Sequence, residues 1–137
     1  MAQVRVNLQL NQAGVRALFT DPNGGVAHDM LRRGHNVANL AKKYCPVDTG
    51  NLRASIEAKL VQFNGKVAVV VGTNVNYAMY QHEGTGIYGP HGTPIVPVRA
   101  KALRFKPKGS SYFVYAKSVK GNEPTFFLKR ALPAAAY

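Results

Sequence analysis

Several residues in this sequence are of types that could do chemistry, and their spacing decides what chemistry is open to them. Cys45, the only cysteine, could serve as a nucleophile with His82 or His91 as base and Asp48 as orienter. Nothing in the spacing tests such a triad, and a lone cysteine between Tyr44 and Pro46 reads as a small buried apolar group. His82-Glu83 opens as a zinc-protease helix does, but that motif needs a second His four residues on, and the residue there is Gly86. His28 and His35 could share a helix face but lack a third ligand. Gly84, Gly86 and Gly89 have the spacing of a dinucleotide loop, yet Pro90, Pro94 and Pro97 follow where a helix must begin to receive the pyrophosphate. Asp48 and Glu83 could form a carboxylate pair, against the plainer roles of a cap for Asp48 and a partner of a basic side chain for Glu83. The expectation is a protein without catalytic residues, metal ligands or cofactor, and not an enzyme.

The elements that would position these residues follow from periodicity. Val4, Val6, Leu8 and Leu10 alternate with Gln3, Arg5, Asn7 and Gln9, the pattern of a half-buried strand. Asn11 can cap a short helix from Gln12 to Phe19, which Asp21-Pro22-Asn23-Gly24-Gly25 ends. From Val26 to Tyr44 the residues Val26, Met30, Val37, Leu40, Ala41 and Tyr44 make an apolar stripe, Lys42 and Lys43 suit the C-terminal dipole, and Pro46 stops the helix. A reversal at Pro46–Arg53, with Asp48 or Thr49 as cap, leads to two apolar segments, Ala54 to Phe63 and Lys66 to Thr73, joined by the hairpin signal Asn64-Gly65.

Tyr77 to Thr85, on which the two halves of the chain meet, reads as one or two helical turns closed by Gly84 in the left-handed conformation. Tyr77 and Tyr80 are expected to be core aromatics in preference to a surface contact. The run from Gly86 to Pro97 has too many prolines and glycines for regular structure, and is expected to be an exposed, mobile loop. Its length and its apolar Ile87, Tyr88, Ile95 and Val96 suggest that it orders against a partner. A second hairpin is expected from Lys101 to Phe105 and Ser111 to Val119, followed by a helix from Phe126 to Leu132 capped by Thr125, with fraying after Pro133. The fold class is α+β: an antiparallel β-sheet with one long helix packed on one face, a short C-terminal helix and a long Gly/Pro-rich loop.

A chain of 137 residues that is 46% hydrophobic reads as a single domain, 1–137, with a core. No stretch reads as a membrane span or signal peptide, and one cysteine fits a reducing compartment, so a soluble protein made inside the cell is expected. The net charge of +12 raises the odds of contact with nucleic acid, a membrane surface or an acidic protein. From Arg99 onward nine basic residues stand against Glu123 alone, giving +8 there and +4 before it.

Three segments taken in order carry a resemblance. Ala41-Lys42-Lys43-Tyr44-Cys45-Pro46-Val47-Asp48-Thr49-Gly50-Asn51-Leu52-Arg53-Ala54-Ser55-Ile56, then Tyr77-Ala78-Met79-Tyr80-Gln81-His82-Glu83-Gly84-Thr85, then Pro124-Thr125-Phe126-Phe127-Leu128-Lys129-Arg130-Ala131-Leu132 resemble signatures of the HK97 gene-product-ten-like family of tailed-bacteriophage proteins. The signature positions are Pro46, Thr49, Gly50, Leu52, Ser55, Ile56, Tyr77, Ala78, Glu83, Gly84, Thr85, Phe127, Leu128, Ala131 and Leu132. His82 stands where the second signature has its Glu, with Glu83 one place later, and the closing signature carries an extra Phe.

The resemblance implies a virion structural protein of the head-to-tail junction, a neck, tail-completion or tail-terminator component, made in the bacterial cytoplasm and not an enzyme. It implies a homo-oligomeric ring, expected to be hexameric, around the DNA channel, contacting other neck and tail proteins and joining the tail to the capsid connector. In such a ring the loop residues Ile87, Tyr88, Ile95 and Val96 would meet the next subunit. Arg99, Lys101, Arg104, Lys106, Lys108, Lys117 and Lys120 would face packaged DNA through non-specific phosphate attraction. The alternative is a small basic nucleic-acid-binding module whose C-terminal hairpin uses Tyr112, Phe113 and Tyr115 as stacking groups.

Overall fold

The computed structural model describes residues 6–137. Its regular elements are α1 (Gln12–Thr20), α2 (Gly25–Tyr44), α3 (Asn51–Ser55), β1 (Glu57–Phe63), β2 (Lys66–Gly72), α4 (Ala78–Glu83), β3 (Leu103–Phe105), β4 (Val114–Ala116) and α5 (Phe127–Ala131). Two 3₁₀ turns, Gly86–Tyr88 and Leu132–Ala136, complete the list. The architecture is α+β, with α2 against an antiparallel two-stranded sheet. Among the described residues no helix is long and apolar enough to cross a membrane.

Local chemistry accounts for most boundaries. Asn11 caps α1, its Oδ1 accepting from the Gly14 amide at 3.1 Å. Asn64 (φ 51°) and Gly65 (φ 73°) adopt the paired left-handed conformations of a tight hairpin turn. That turn sets the register of Glu57 opposite Gly72 through Phe63 opposite Lys66. The cap of α3 is Gly50, at φ 87°, and neither Asp48 nor Thr49 caps it.

The buried face of α2 consists of Ala27, Gly34, Val37, Ala38 and Ala41. Of the expected stripe only Val37 and Ala41 are fully buried, because small side chains bring the helix axis down onto the sheet while larger ones splay to its flanks. At the closest point, a Cβ on Gly34 would overlap Val69 Cγ1 and lie 3.3 Å from Ala58 Cβ. Below this seam, Val37, Ala38, Ala41 and Cys45 join Leu52, Ile56, Ala78, Phe127 and Ala131 in one buried cluster, of which Phe127 and Ile56 are the largest fully enclosed members.

Several expectations are corrected. Of the N-terminal strand, residues up to Arg5 lie outside the described residues, and Val6 to Leu10 form no strand. Alternation licenses a strand only where a neighbour pairs with it, and none does so here. The second hairpin shrinks to three residues per strand and makes a separate sheet instead of extending the first. Thr125 does not cap α5. Its Oγ1 donates to the Gln81 carbonyl at 2.7 Å, and Phe126, left-handed at φ 46°, precedes the helix.

Pro133 does not leave a free end either. The chain continues as a 3₁₀ turn, which tolerates a proline near its start. Arg33 Nη1 donates to the Ala135 carbonyl at 3.2 Å, and Asn36 Nδ2 to the Tyr137 carbonyl at 3.2 Å. Asp29 steadies Arg33, accepting from its Nε and from Arg32 Nη2 at 2.7 Å, and these hydrogen bonds hold its carboxyl below the usual aspartate range.

The seam can be tested by the sign of one substitution. On an open helix face Gly→Ala stabilises by roughly 0.8–1 kcal/mol through helix propensity. Gly34→Ala is expected instead to lower stability by about 1 kcal/mol in denaturant unfolding, because its methyl displaces β-branched, rotamer-restricted Val69.

Candidate functional site

The region singled out in the sequence is a short helix followed by a loop laid along a later segment of the chain. α4 turns one small residue, Ala78, into the core, whereas Tyr77, Met79 and Tyr80 are exposed. Tyr77 and Tyr80 are therefore surface aromatics and not core ones: one and a half turns of helix offer one inward position, and Ala78 takes it. Gly84 ends α4 with φ 82° and ψ 175°, an extended positive-φ conformation reserved for glycine, and not the left-handed helical cap expected. A Cβ there would come within 2.8 Å of the Asn122 carbonyl.

From Gly84 onward the loop is tied to the backbone of 119–122. The Thr85 amide donates to the Asn122 carbonyl at 2.9 Å, and the Asn122 amide returns a bond to Thr85 Oγ1 at 2.9 Å. The Ile87 amide donates to the Lys120 carbonyl at 2.8 Å, and Ile95 and Val119 exchange two bonds at 2.8 and 2.9 Å. Gly86 and Gly121 permit the approach, since a Cβ on either would overlap the facing backbone. The expected irregular loop is thus held by a ladder of backbone hydrogen bonds. Sequence reasoning missed this because its partner, Val119 to Pro124, carries no strand pattern of its own.

The loop and α4 enclose an open apolar groove of about 410 Å³, lined among others by Met79, Tyr80, Glu83, Pro94, Ile95 and Val96. Ile87, Tyr88, Ile95 and Val96 are all exposed, and so are Arg99, Lys101, Arg104, Lys106, Lys108, Lys117 and Lys120. The Arg104 guanidinium lies 3.9 Å from the centre of the Phe113 ring. Lys108 stands 3.8 Å from Asp48, both fully in solvent, where such a pair contributes little. Glu83 sits at the groove, with no basic side chain at ion-pair distance among the described residues.

The residues considered for catalysis have other partners. His82 Nε2 accepts the Lys129 amide at 3.4 Å, serving the first turn of α5 as a cap from across the chain, and its ring meets Phe126 and Phe127 edge-on. This role was not legible in the sequence, because 47 residues separate donor and acceptor. Cys45 is buried, and burial pushes its thiol pKa up, with Arg53 opposing weakly. Among the described residues no group of His, Cys, Asp and Glu could hold a metal ion.

The signature residues divide by depth. Leu52, Ile56, Ala78, Phe127 and Ala131 meet in the one core cluster. Ser55 Oγ donates to the Leu52 carbonyl at 2.8 Å and pairs with Thr73 Oγ1, fastening α3 to the end of β2. Pro46, Thr49, Glu83 and Leu132 lie exposed, and Leu128 is half-buried. An experiment on Cys45 separates core from chemistry: its raised pKa and burial predict alkylation by iodoacetamide at pH 8 on the order of tenfold slower in the folded protein than in denaturant.

Comparison with known proteins gives one match. Residues 27–84 match the model of the family HK97-gp10_like, described as "Bacteriophage HK97-gp10, putative tail-component". The match runs from the start of the buried face of α2 through the hairpin to Gly84, and takes in the first signature and all of the second but Thr85, and none of the third. No curated protein and no solved structure matches the chain. Residues 27–84 of this chain, fewer than half of its length, are an HK97-gp10-like segment, and the family that the chain resembles is that of these bacteriophage tail components.

Proposed function

We propose that this protein is a structural component of the phage virion at the head-to-tail junction, assembling as a closed ring around the DNA channel and contacting other neck and tail proteins. The observation that carries the reading is the match of residues 27–84 to a tail-component family. Assembly has independent physical support. A compact monomer of 14.9 kDa exposes roughly 7,000 Å². This chain exposes 10743 Å². Met79, Tyr80, Val96, Tyr112 and Tyr115 are each more than half exposed, spread over α4, the loop and the second hairpin. Exposed apolar side chains spread this widely favour burial between copies.

In this reading the loop residues Ile87, Tyr88, Ile95 and Val96, with the groove beside them, meet a different surface of the next subunit, and head-to-tail contacts of that kind close into a ring. Arg99, Lys101, Arg104, Lys106, Lys108, Lys117 and Lys120 line the passage and attract packaged DNA without reading its sequence. The chain folds as a single domain and has no catalytic role. The second reading, a free-standing nucleic-acid binder, draws on the exposed Tyr112, Phe113 and Tyr115 beside those same cations, with Arg104 over the Phe113 ring.

Light scattering on the purified protein, alone and with tails of the parent phage, followed by imaging of the particles, distinguishes the two. The expected result is a cyclic oligomer, either free or formed on the end of the tail. A chain that remains monomeric, never joins the particle and binds DNA tightly with strong salt dependence would overturn the ring and establish the second reading.

A further inference from the structure

The sheet under α2 is incomplete in a way that the same chain can remedy. A two-stranded sheet needs a further strand or a helix packed on it, and here α2 covers one face while an edge stays open to a third strand. β1 defends its edge with charge, Lys59 Nζ and Glu57 lying 2.6 Å apart. β2 runs Val67-Ala68-Val69-Val70-Val71-Gly72 without a charge after Lys66. Among the described residues, no backbone hydrogen bond outside the β1–β2 ladder involves Lys66–Gly72. Along that unguarded strand, on the side of α2, lies an apolar groove of about 270 Å³ whose walls include Met30, Val37, Val69, Val71 and Leu132.

The strand that fits is present and unused. Val6, Leu8 and Leu10 are 79%, 86% and 67% exposed, on a segment that alternates apolar and polar residues as a one-faced strand does. Among the described residues Val6 to Leu10 pair with no strand of their own chain, although α1, which follows them, lies near β2.

We infer that the segment ending in Val6-Asn7-Leu8-Gln9-Leu10 of one copy adds as a third strand to the β2 edge of a second copy, its apolar side chains entering the groove beside Val69 and Val71. Main-chain hydrogen bonds complete the sheet, and alternate side chains set the register. Vacant edge and unpaired strand occur in every copy, so the contact is between unlike surfaces and can repeat. It does not depend on the phage reading, because purified protein would make it without any particle.

Disulfide trapping tests it. Val6→Cys, Leu8→Cys and Leu10→Cys are each mixed with differently tagged Leu132→Cys under oxidising conditions, with buried Cys45 retained and the bridged peptides mapped by mass. A bridge between copies is expected in at least one pairing. Deletion of residues 2–10 is expected to lower the mass in solution while circular dichroism stays that of a folded chain. Bridges only within one chain when Leu132→Cys is combined with each of the three in a single chain, absence of any bridge in all three pairings, or an unchanged mass after the deletion would each overturn the inference.

Discussion

The close approach of α2 to the hairpin at Gly34 is the contact on which the rest of the molecule depends. Because no side chain separates helix from sheet there, Val69 and Ala58 reach the helix backbone. Ala38, Ala41 and Cys45, further along the helix, then lie close enough to Leu52, Ile56 and Ala78 for Phe127 to close the cluster. Small residues along one helix face thus determine where three distant parts of the chain meet. The helix also holds the end of the chain, since Arg33 and Asn36 on its flank bind the carbonyls of 135–137.

A second constraint concerns the backbone. The Gly/Pro-rich loop has little apolar mass with which to hold a shape, and its order comes from amide-to-carbonyl bonds with 119–122. Such a ladder needs the two chains to lie close, which is why Gly86 and Gly121 face the opposing backbone and why Gly84 adopts a conformation other residues avoid. The consequence for function is a division of labour. Backbone bonds fix the loop's course, and Ile87, Tyr88, Ile95 and Val96 are left facing outward. An apolar surface held in place loses less entropy on docking than a mobile one.

His82 shows how a chemically capable residue can be absorbed into structure. Its imidazole nitrogen is occupied by an α5 amide and its ring by two phenylalanines, so the position that departs from the family signature still links α4 to α5. Cys45 is likewise absorbed, into the core.

The sequence by itself determined what short-range physics controls: the Asn11 cap, the length of α2 and its stop before Pro46, the Asn64-Gly65 hairpin with its register, the short final helix, and the α+β class. Its signatures also pointed to the phage family, and the first two fall largely within the segment that matches that family. Only the tertiary structure decided what depends on residues far apart in the chain. It left Val6 to Leu10 unpaired, since a strand needs a neighbour that alternation cannot name. It turned Tyr77 and Tyr80 outward, since one inward position on α4 was already filled by Ala78. It ordered the loop and supplied the cap of α5 through partners more than 20 residues away, because hydrogen-bonding groups are satisfied by whatever folding brings near them.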